Sequence, residues 1–299
     1  AWSPRLLRAV ADASPAVVHS QGLVFPLQLR ALARWLPAVP VLVQDHGGRP
    51  PLGWRGYLIC WGLGRVRGVA FTARAQAGPF HAAGVLPRHI PVFEVLESSS
   101  HFTPGDRRAA QAATGLHGDP CLLWVGRLDE NKDPCTVLDG LGQALPHLGK
   151  AHLWCCYTDA PLLDRLRQRL ADDAALAARV HLMGAVPHAA LEQLYRAADF
   201  FVLASHREGS GYALLESLAC GATPLVTDIP SFRRMTGDGT VGALFPPGDA
   251  AALSRLLVAW SERDRGELRE SGRRHFEARL SFRSVGSELR SAYEAIVAA

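Results

Sequence analysis

Two glutamates, Glu208 and Glu216, stand eight positions apart in Ser205-His206-Arg207-Glu208-Gly209-Ser210-Gly211-Tyr212-Ala213-Leu214-Leu215-Glu216. Between them a turn with two glycines opens a helical pattern. Glycine lets a ligand approach the backbone closely. The start of a helix offers amide donors and a partial positive charge to an anion. The carboxylates can then grip hydroxyls on either side of that anion. A ligand with a sugar at one end, a diphosphate in the middle and a ribose at the other suits this order, with Gly209, Ser210, Gly211 and Tyr212 offering the backbone.

A second segment, Gly126-Arg127-Leu128-Asp129-Glu130-Asn131-Lys132-Asp133, follows directly on the apolar run Cys121–Val125. Ligands of open α/β sheets bind beyond the carboxyl ends of the strands, so Arg127 and Lys132 are placed to face a phosphate. A departing diphosphate needs its growing negative charge neutralised. No paired aspartates of the DxD kind stand ready to hold a metal, and Arg and Lys can neutralise that charge themselves, one as a planar fork and one as a point charge. No metal site and no cofactor beyond the nucleotide-sugar substrate are expected.

These segments need a scaffold. From about residue 118, short apolar runs alternate with amphipathic stretches: strands at Cys121–Val125, Ala151–Tyr157, Val180–Met183, Phe200–Leu203, Thr223–Val226 and Gly242–Phe245, with helices between and after them. Continuous apolar strands spaced by helices predict a parallel sheet covered on both faces. Residues 1–117 alternate likewise with fewer units: strands at Ala16–His19, Val41–Gln44, Gly68–Thr72 and Ile90–Val95, helices at Leu27–Leu36 and Ala73–Ala83. This half begins with a helix near Arg5–Asp12, where doubly wound domains begin with a strand, so an opening strand and its glycine turn are expected to be absent. The expectation is an α/β chain of two Rossmann-like doubly wound parallel-sheet domains, 1–117 and 118–278. A final helix in 279–299 is expected to pack back toward the first domain.

Composition narrows the function. The chain has 299 residues, 48% hydrophobic and 20% charged, enough to bury ordinary cores. No apolar run reaches the roughly 18–20 residues that span a bilayer, and Ala1-Trp2-Ser3-Pro4-Arg5 does not read as a signal peptide. Six scattered cysteines form no CxxC pair, which points to free thiols and a cytoplasmic location. Residues 1–95 carry ten Arg, no Lys and three acids, a net +7, while the remainder nets −3. A basic first domain implies an anionic partner, such as phospholipid at the inner face of a membrane, a lipid-linked phosphate or an acidic glycan; a solvated Arg-rich surface is the plain alternative. No nucleic-acid motif is present.

Taken together, Val125–Asp133 and the Glu208–Glu216 pair closely resemble the retaining glycosyltransferases of family four, which have the GT-B fold. Val180-His181-Leu182-Met183-Gly184-Ala185-Val186-Pro187, Ala219–Pro224 and Gly242–Asp249 fit the same pattern. The resemblance covers nearly all of 118–278 and is weaker over 15–117. It implies metal-independent transfer of a sugar from a nucleoside-diphosphate sugar to a glycan, lipid or small-molecule acceptor. Arg127 and Lys132 would bind the diphosphate, Glu216 the ribose, and Glu208 the transferred sugar, with Leu182 and Met183 near the base. His46, in Gln44-Asp45-His46-Gly47-Gly48, matches a histidine at a strand end that faces the donor sugar. The family's glycine-rich turn after the first strand of the acceptor domain is not in this chain, and Tyr157-Thr158-Asp159-Ala160-Pro161 replaces the usual Gly-Asp-Gly-Pro turn. A truncated nucleotide-sugar-binding module therefore stays open as the alternative.

Other signals carry less. Gly62-Leu63-Gly64-Arg65-Val66-Arg67-Gly68 has the outline of a dinucleotide fingerprint, but it leads into an apolar run instead of a helix. Ser205 and Ser210 sit in no GxSxG elbow. Trp54 and Trp61 are acceptor-contact candidates, with core packing the plainer role. A phosphorylase of the glycogen type needs a lysine for pyridoxal phosphate, and only Lys132 and Lys150 exist.

Overall fold

A computed structural model describes residues 4–298; Ala1–Ser3 and Ala299 lie outside the described residues. The chain forms two compact units. The first ends at Ser98 and takes back the chain from Phe282 on; the second is Ser99–Ser281.

The first unit begins with α1 (Pro4–Asp12). It continues through β1 (Val18–Gln21), α2 (Pro26–Trp35), β2 (Val41–Gln44), α3 (Trp54–Leu63), β3 (Gly68–Phe71), α4 (Ala77–Ala82) and β4 (Val92–Glu94). Its four strands are parallel and pair in chain order, β1-β2-β3-β4. Leu29, Leu32, Val41, Val43, Ile59, Leu63, Val69 and Phe71 build the core between sheet and helices. The helix expected over Ala73–Ala83 divides into a 3₁₀ turn, Arg74–Gln76, and α4. Helix α3 has no counterpart in the sequence reading. Its residues, Trp-Arg-Gly-Tyr-Leu-Ile-Cys-Trp-Gly-Leu, are apolar nearly all round with two glycines, so no helical period shows. The glycine-rich Gly62–Gly68 serves packing. A Cβ on Gly62 would lie 2.5 Å from Pro26 Cα, where α3 crosses α2, and one on Gly68 would meet Phe93 and Ile296.

The second unit opens with α5 (Arg107–Thr114) and β5 (Cys121–Gly126). It continues through α6 (Pro134–Ala144), β6 (His152–Tyr157), α7 (Leu163–Ala171), α8 (Ala174–Ala177), β7 (Val180–Gly184), α9 (His188–Ala197), β8 (Phe200–Leu203) and α10 (Tyr212–Cys220). It closes with β9 (Thr223–Thr227), α11 (Pro230–Thr236), β10 (Ala243–Phe245), α12 (Ala250–Ser261) and α13 (Arg265–Arg279). All six strands are parallel, in the order β10-β9-β8-β5-β6-β7. The chain therefore winds outward from β5 to one side and, after β7, returns to wind outward from β8 on the other. Strands β8 and β9 are buried along their whole length, as the apolar Phe200–Leu203 run and the Pro224–Val226 centre of β9 demand. Helix α12 packs on α6, while α9 and α13 pack on α10.

The boundary expected at 117/118 falls at 98/99, because α5 packs on α9 inside the second unit. Helix α5 lacks large apolar residues, so periodicity does not reveal it. Its caps do: Asp106 accepts from Ala109 N at 2.6 Å, and Gly115 closes the helix with φ +76°. Buried Asp199 fastens this region. It accepts from Arg107 Nη2 at 2.8 Å, Arg265 Nη1 at 3.2 Å and Cys121 N at 2.8 Å. The last helix, α14 (Phe282–Ala298), belongs to the first unit, where Tyr293 Oη lies 2.9 Å from His19 Nδ1.

Candidate functional site

Strand order locates the candidate site. Between β5 and β8 the winding reverses, and open α/β sheets leave a crevice at such a point, beyond the carboxyl ends of the strands. Two loops flank it: 127–133 after β5 and 204–211 after β8. They are the two segments that carry the sequence-predicted cations and Glu208.

The first loop is held from both ends. Leu128 is fully buried; its N–H donates to Asp159 O and its carbonyl accepts from Leu162 N. The Tyr157–Pro161 turn thus still supports the loop despite its changed sequence. Asp129 accepts from Lys132 N at 2.9 Å through Oδ1 and from Arg127 Nη2 at 2.5 Å through Oδ2. Asp133, with φ +42°, caps α6 by accepting from Thr136 N and Oγ1.

The second loop is laced to the first. His206 N donates to Asn131 O at 2.8 Å, and Asn131 Nδ2 donates to Arg207 O at 2.9 Å. Lys132 Nζ donates to Glu208 Oε1 at 2.5 Å, and both side chains are largely buried. The loop ends at Gly211, the N-cap of α10, with φ +60°. A Cβ there would lie 2.7 Å from Phe232 Cε1, so glycine is required by both backbone and space. Lacking a side chain, Gly211 leaves the helix start to be approached by an anion.

Glu216 stands one turn into α10 and faces α9. His188 Nε2 lies 2.6 Å from its Oε1, and Tyr195 Oη donates to its Oε2 at 3.1 Å. Burial and the neighbouring carboxylate raise the Tyr195 pKa well above the usual phenol value, which keeps it a donor. Phe102 stacks on His188 with ring centroids 5.1 Å apart.

Lys132 and Glu208 are thus brought together. Arg127 rests on Asp129, and Glu216 meets His188 and Tyr195. Arg127 is more than half exposed and rests on its own loop. Leu182 and Met183 lie near the carboxyl end of β7, with Met183 Sδ 3.6 Å from Cys156 Sγ. His46 belongs to the first unit, where its Nδ1 is 2.6 Å from Glu97 Oε2. Beside it Asp45 accepts from Gly47 N and Gly48 N, and burial raises its pKa.

Sequence reasoning missed His188, Tyr195, Asn131 and His206. The first two were accessible: they are seven residues apart on one helix, hence on one face, directly after a strand. The lacing by Asn131 and His206 depends on two loops meeting, which no local pattern encodes.

Comparison with known proteins bears on the family and the fold. Over 224 residues the chain is 32% identical to the D-inositol 3-phosphate glycosyltransferase of Geodermatophilus obscurus, an alignment covering 71% of this chain and 48% of that protein. It is 29% identical over 290 residues to the enzyme of the same name from Frankia alni, covering 86% and 70%. The chain spans about half the length of the first of these relatives. Among solved structures, Anabaena HepE in complex with UDP superposes with a TM-score of 0.77 at 17% identity, covering 97% of this chain and 82% of that one. The likeness supports the GT-B fold. Residues 106–275, more than half of the chain, match the profile of the family described as glycosyl transferases group 1, and the chain belongs to that family.

Proposed function

We propose that the protein transfers a sugar from a nucleoside-diphosphate sugar to a hydroxyl acceptor, with retention of configuration and without a metal cofactor. The observation that carries this reading is the Lys132–Glu208 pair, which joins the two loops at the point where the winding of the sheet reverses. In the reaction the bond from the anomeric carbon to the diphosphate oxygen breaks. The acceptor oxygen bonds to that carbon from the same face, and its proton passes to the leaving phosphate. Lys132 and Arg127 stabilise the charge gathering on the diphosphate. Glu208, held by Lys132, stands beside the oxocarbenium-like carbon. Glu216 binds the ribose hydroxyls in the orientation set by Tyr195 and His188. The Gly209–Tyr212 backbone meets phosphate and sugar, and Leu182 and Met183 flank the base. His46 is the catalytic candidate of the first unit.

A similar protein was crystallised with UDP, and relatives are named for inositol 3-phosphate, so these head the test panels. Thermal shift and calorimetry with uridine, guanosine and adenosine diphosphates and their sugars should show one nucleotide binding selectively. Product NMR should then show the donor's anomeric configuration preserved, with turnover unchanged by EDTA. Absence of nucleotide binding would sink the reading. Binding without transfer to any acceptor would favour a nucleotide-sugar-binding module.

The first unit favours a peripheral contact with an anionic membrane. Leu27, Trp54 and Tyr57 are exposed on or beside α2 and α3, which carry Arg30, Arg34 and Arg55 and no acid. Interfacial aromatics with basic neighbours suit a headgroup layer. Among the described residues no helix is long and apolar enough to cross a membrane. The six free cysteines support a cytoplasmic location. Co-sedimentation with phosphatidylglycerol vesicles, absent with phosphatidylcholine, is the expected result.

A further inference from the structure

At the opposite end of the second sheet from the crevice, three histidines from three segments meet. His117 lies in the loop before β5, His152 is the first residue of β6, and His181 is the second of β7. One ring nitrogen from each lies within 4.8 Å of the others. His152 Nδ1 and His181 Nε2 are 2.8 Å apart. The group is braced from outside. The Trp154 indole stacks on His181 with centroids 3.8 Å apart, and its Nε1 donates to His117 O at 3.0 Å. None of this belongs to the proposed transfer site, and the glycosyltransferase reading makes no use of it.

The partners set the tautomers. Arg179 Nη1, which can only donate, points at His152 Nε2 from 3.0 Å. The His152 proton therefore sits on Nδ1 and is shared with His181 Nε2, which accepts. His117 Nδ1 faces Gly115 O at 3.1 Å, so it donates and leaves Nε2 as a lone pair. Two imidazole lone pairs and one shared proton thus occupy a space the size of a metal-ion coordination sphere.

We propose that His117, His152 and His181 form a binding site for a borderline divalent transition metal, zinc above all. Three imidazoles without a carboxylate select zinc, nickel or copper and reject the hard oxygen-seeking cations magnesium and calcium. On binding, the ion replaces the shared proton between His152 and His181. That proton moves to His152 Nε2, which then no longer accepts from Arg179, and the guanidinium turns to solvent. No proton is lost overall, and the fourth position goes to water. The bound ion fastens the loop before β5 to the edge strand β7. Arg179 opposes binding twice, as a competing donor and as a like charge.

Equilibrium dialysis of the untagged full chain against zinc chloride, with magnesium as control, tests the site. One zinc per chain is expected, with no magnesium. His117→Asn and His181→Asn should each weaken zinc binding at least ten-fold, while Arg179→Ala should strengthen it. His89→Asn, in the first unit, should change nothing. Copper should quench Trp154 emission in the parent protein and not in Trp154→Phe, in which the site itself remains. Circular dichroism verifies that each variant is folded. Zinc binding that is absent at millimolar metal, or that is the same in the His117 and His181 variants as in the parent, overturns the proposal, as does weaker binding in Arg179→Ala.

Discussion

Tyr195 and His188 fix the orientation in which the Glu216 carboxylate is presented. Both of its oxygens already receive a protein donor, so a ribose bound as proposed would share them. Glu216→Ala should weaken nucleotide binding by about 1–3 kcal/mol, the scale of hydrogen bonds to a charged group. Unchanged calorimetric affinity would remove its ribose role. Arg127 presents a different case. Its guanidinium rests on Asp129 at the surface, and in the proposed reaction it would be needed most when charge develops on the leaving diphosphate. Arg127→Ala should therefore lower kcat more than it raises KM, and steady-state kinetics separate the two. The residue types at 127, 132, 208 and 216 were legible because glycine, strand end and helix start lie beside them in the chain. Their pairing was not, since Lys132 finds Glu208 across 76 residues.

Among elements, the turn into α10 is the least replaceable. Gly211 combines a left-handed backbone with contact against buried Phe232 and Met235. Gly211→Ala should cost about 1–2 kcal/mol for the backbone alone, with a further penalty because Phe232 is fully buried and cannot withdraw. Calorimetric unfolding should show the lowered Tm, and nucleotide affinity should fall with it. Strands β8 and β9 could be read within a residue from their apolar runs. Periodicity reveals neither α3 nor α5: one is apolar on nearly every side, and the other carries no large apolar residue and is marked only by its caps. Their packing against α2 and α9 is what makes them helices in this context.

Across the whole molecule, stability of the second unit depends on a few buried polar groups. Asp199 joins α5, β5, β8 and α13 through one carboxylate. Asp199→Ala should destabilise this unit by about 3–5 kcal/mol, because Arg107 and Arg265 would lose their shared counter-charge; urea unfolding followed by far-UV circular dichroism measures it. His275 supplies a pH dependence. Its Nε2 meets Met235 O at 2.9 Å, and burial pushes its pKa below the ordinary imidazole value near 6.5. Since the unfolded chain binds the proton more readily, the stabilisation is complete above about pH 6.5 and is lost as pH falls through the interval down to the folded-state pKa. His275→Gln should flatten that fall in Tm, and a slope equal to the parent's would assign it elsewhere.

From the chain itself came the class of fold, the parallel sheets and the segments proposed to carry chemistry, because periodicity, turn residues and helix starts are local properties of neighbouring side chains. Even the changed Tyr157–Pro161 turn did not obscure them. Tertiary structure decided the rest: where the two units divide, that α14 rejoins the first, that the winding reverses between β5 and β8, and that three histidines separated by up to 64 positions share one end of a sheet. These depend on strand order and on loops meeting across the sheet. Such contacts join residues far apart in the chain, and the pattern within any one segment does not contain them.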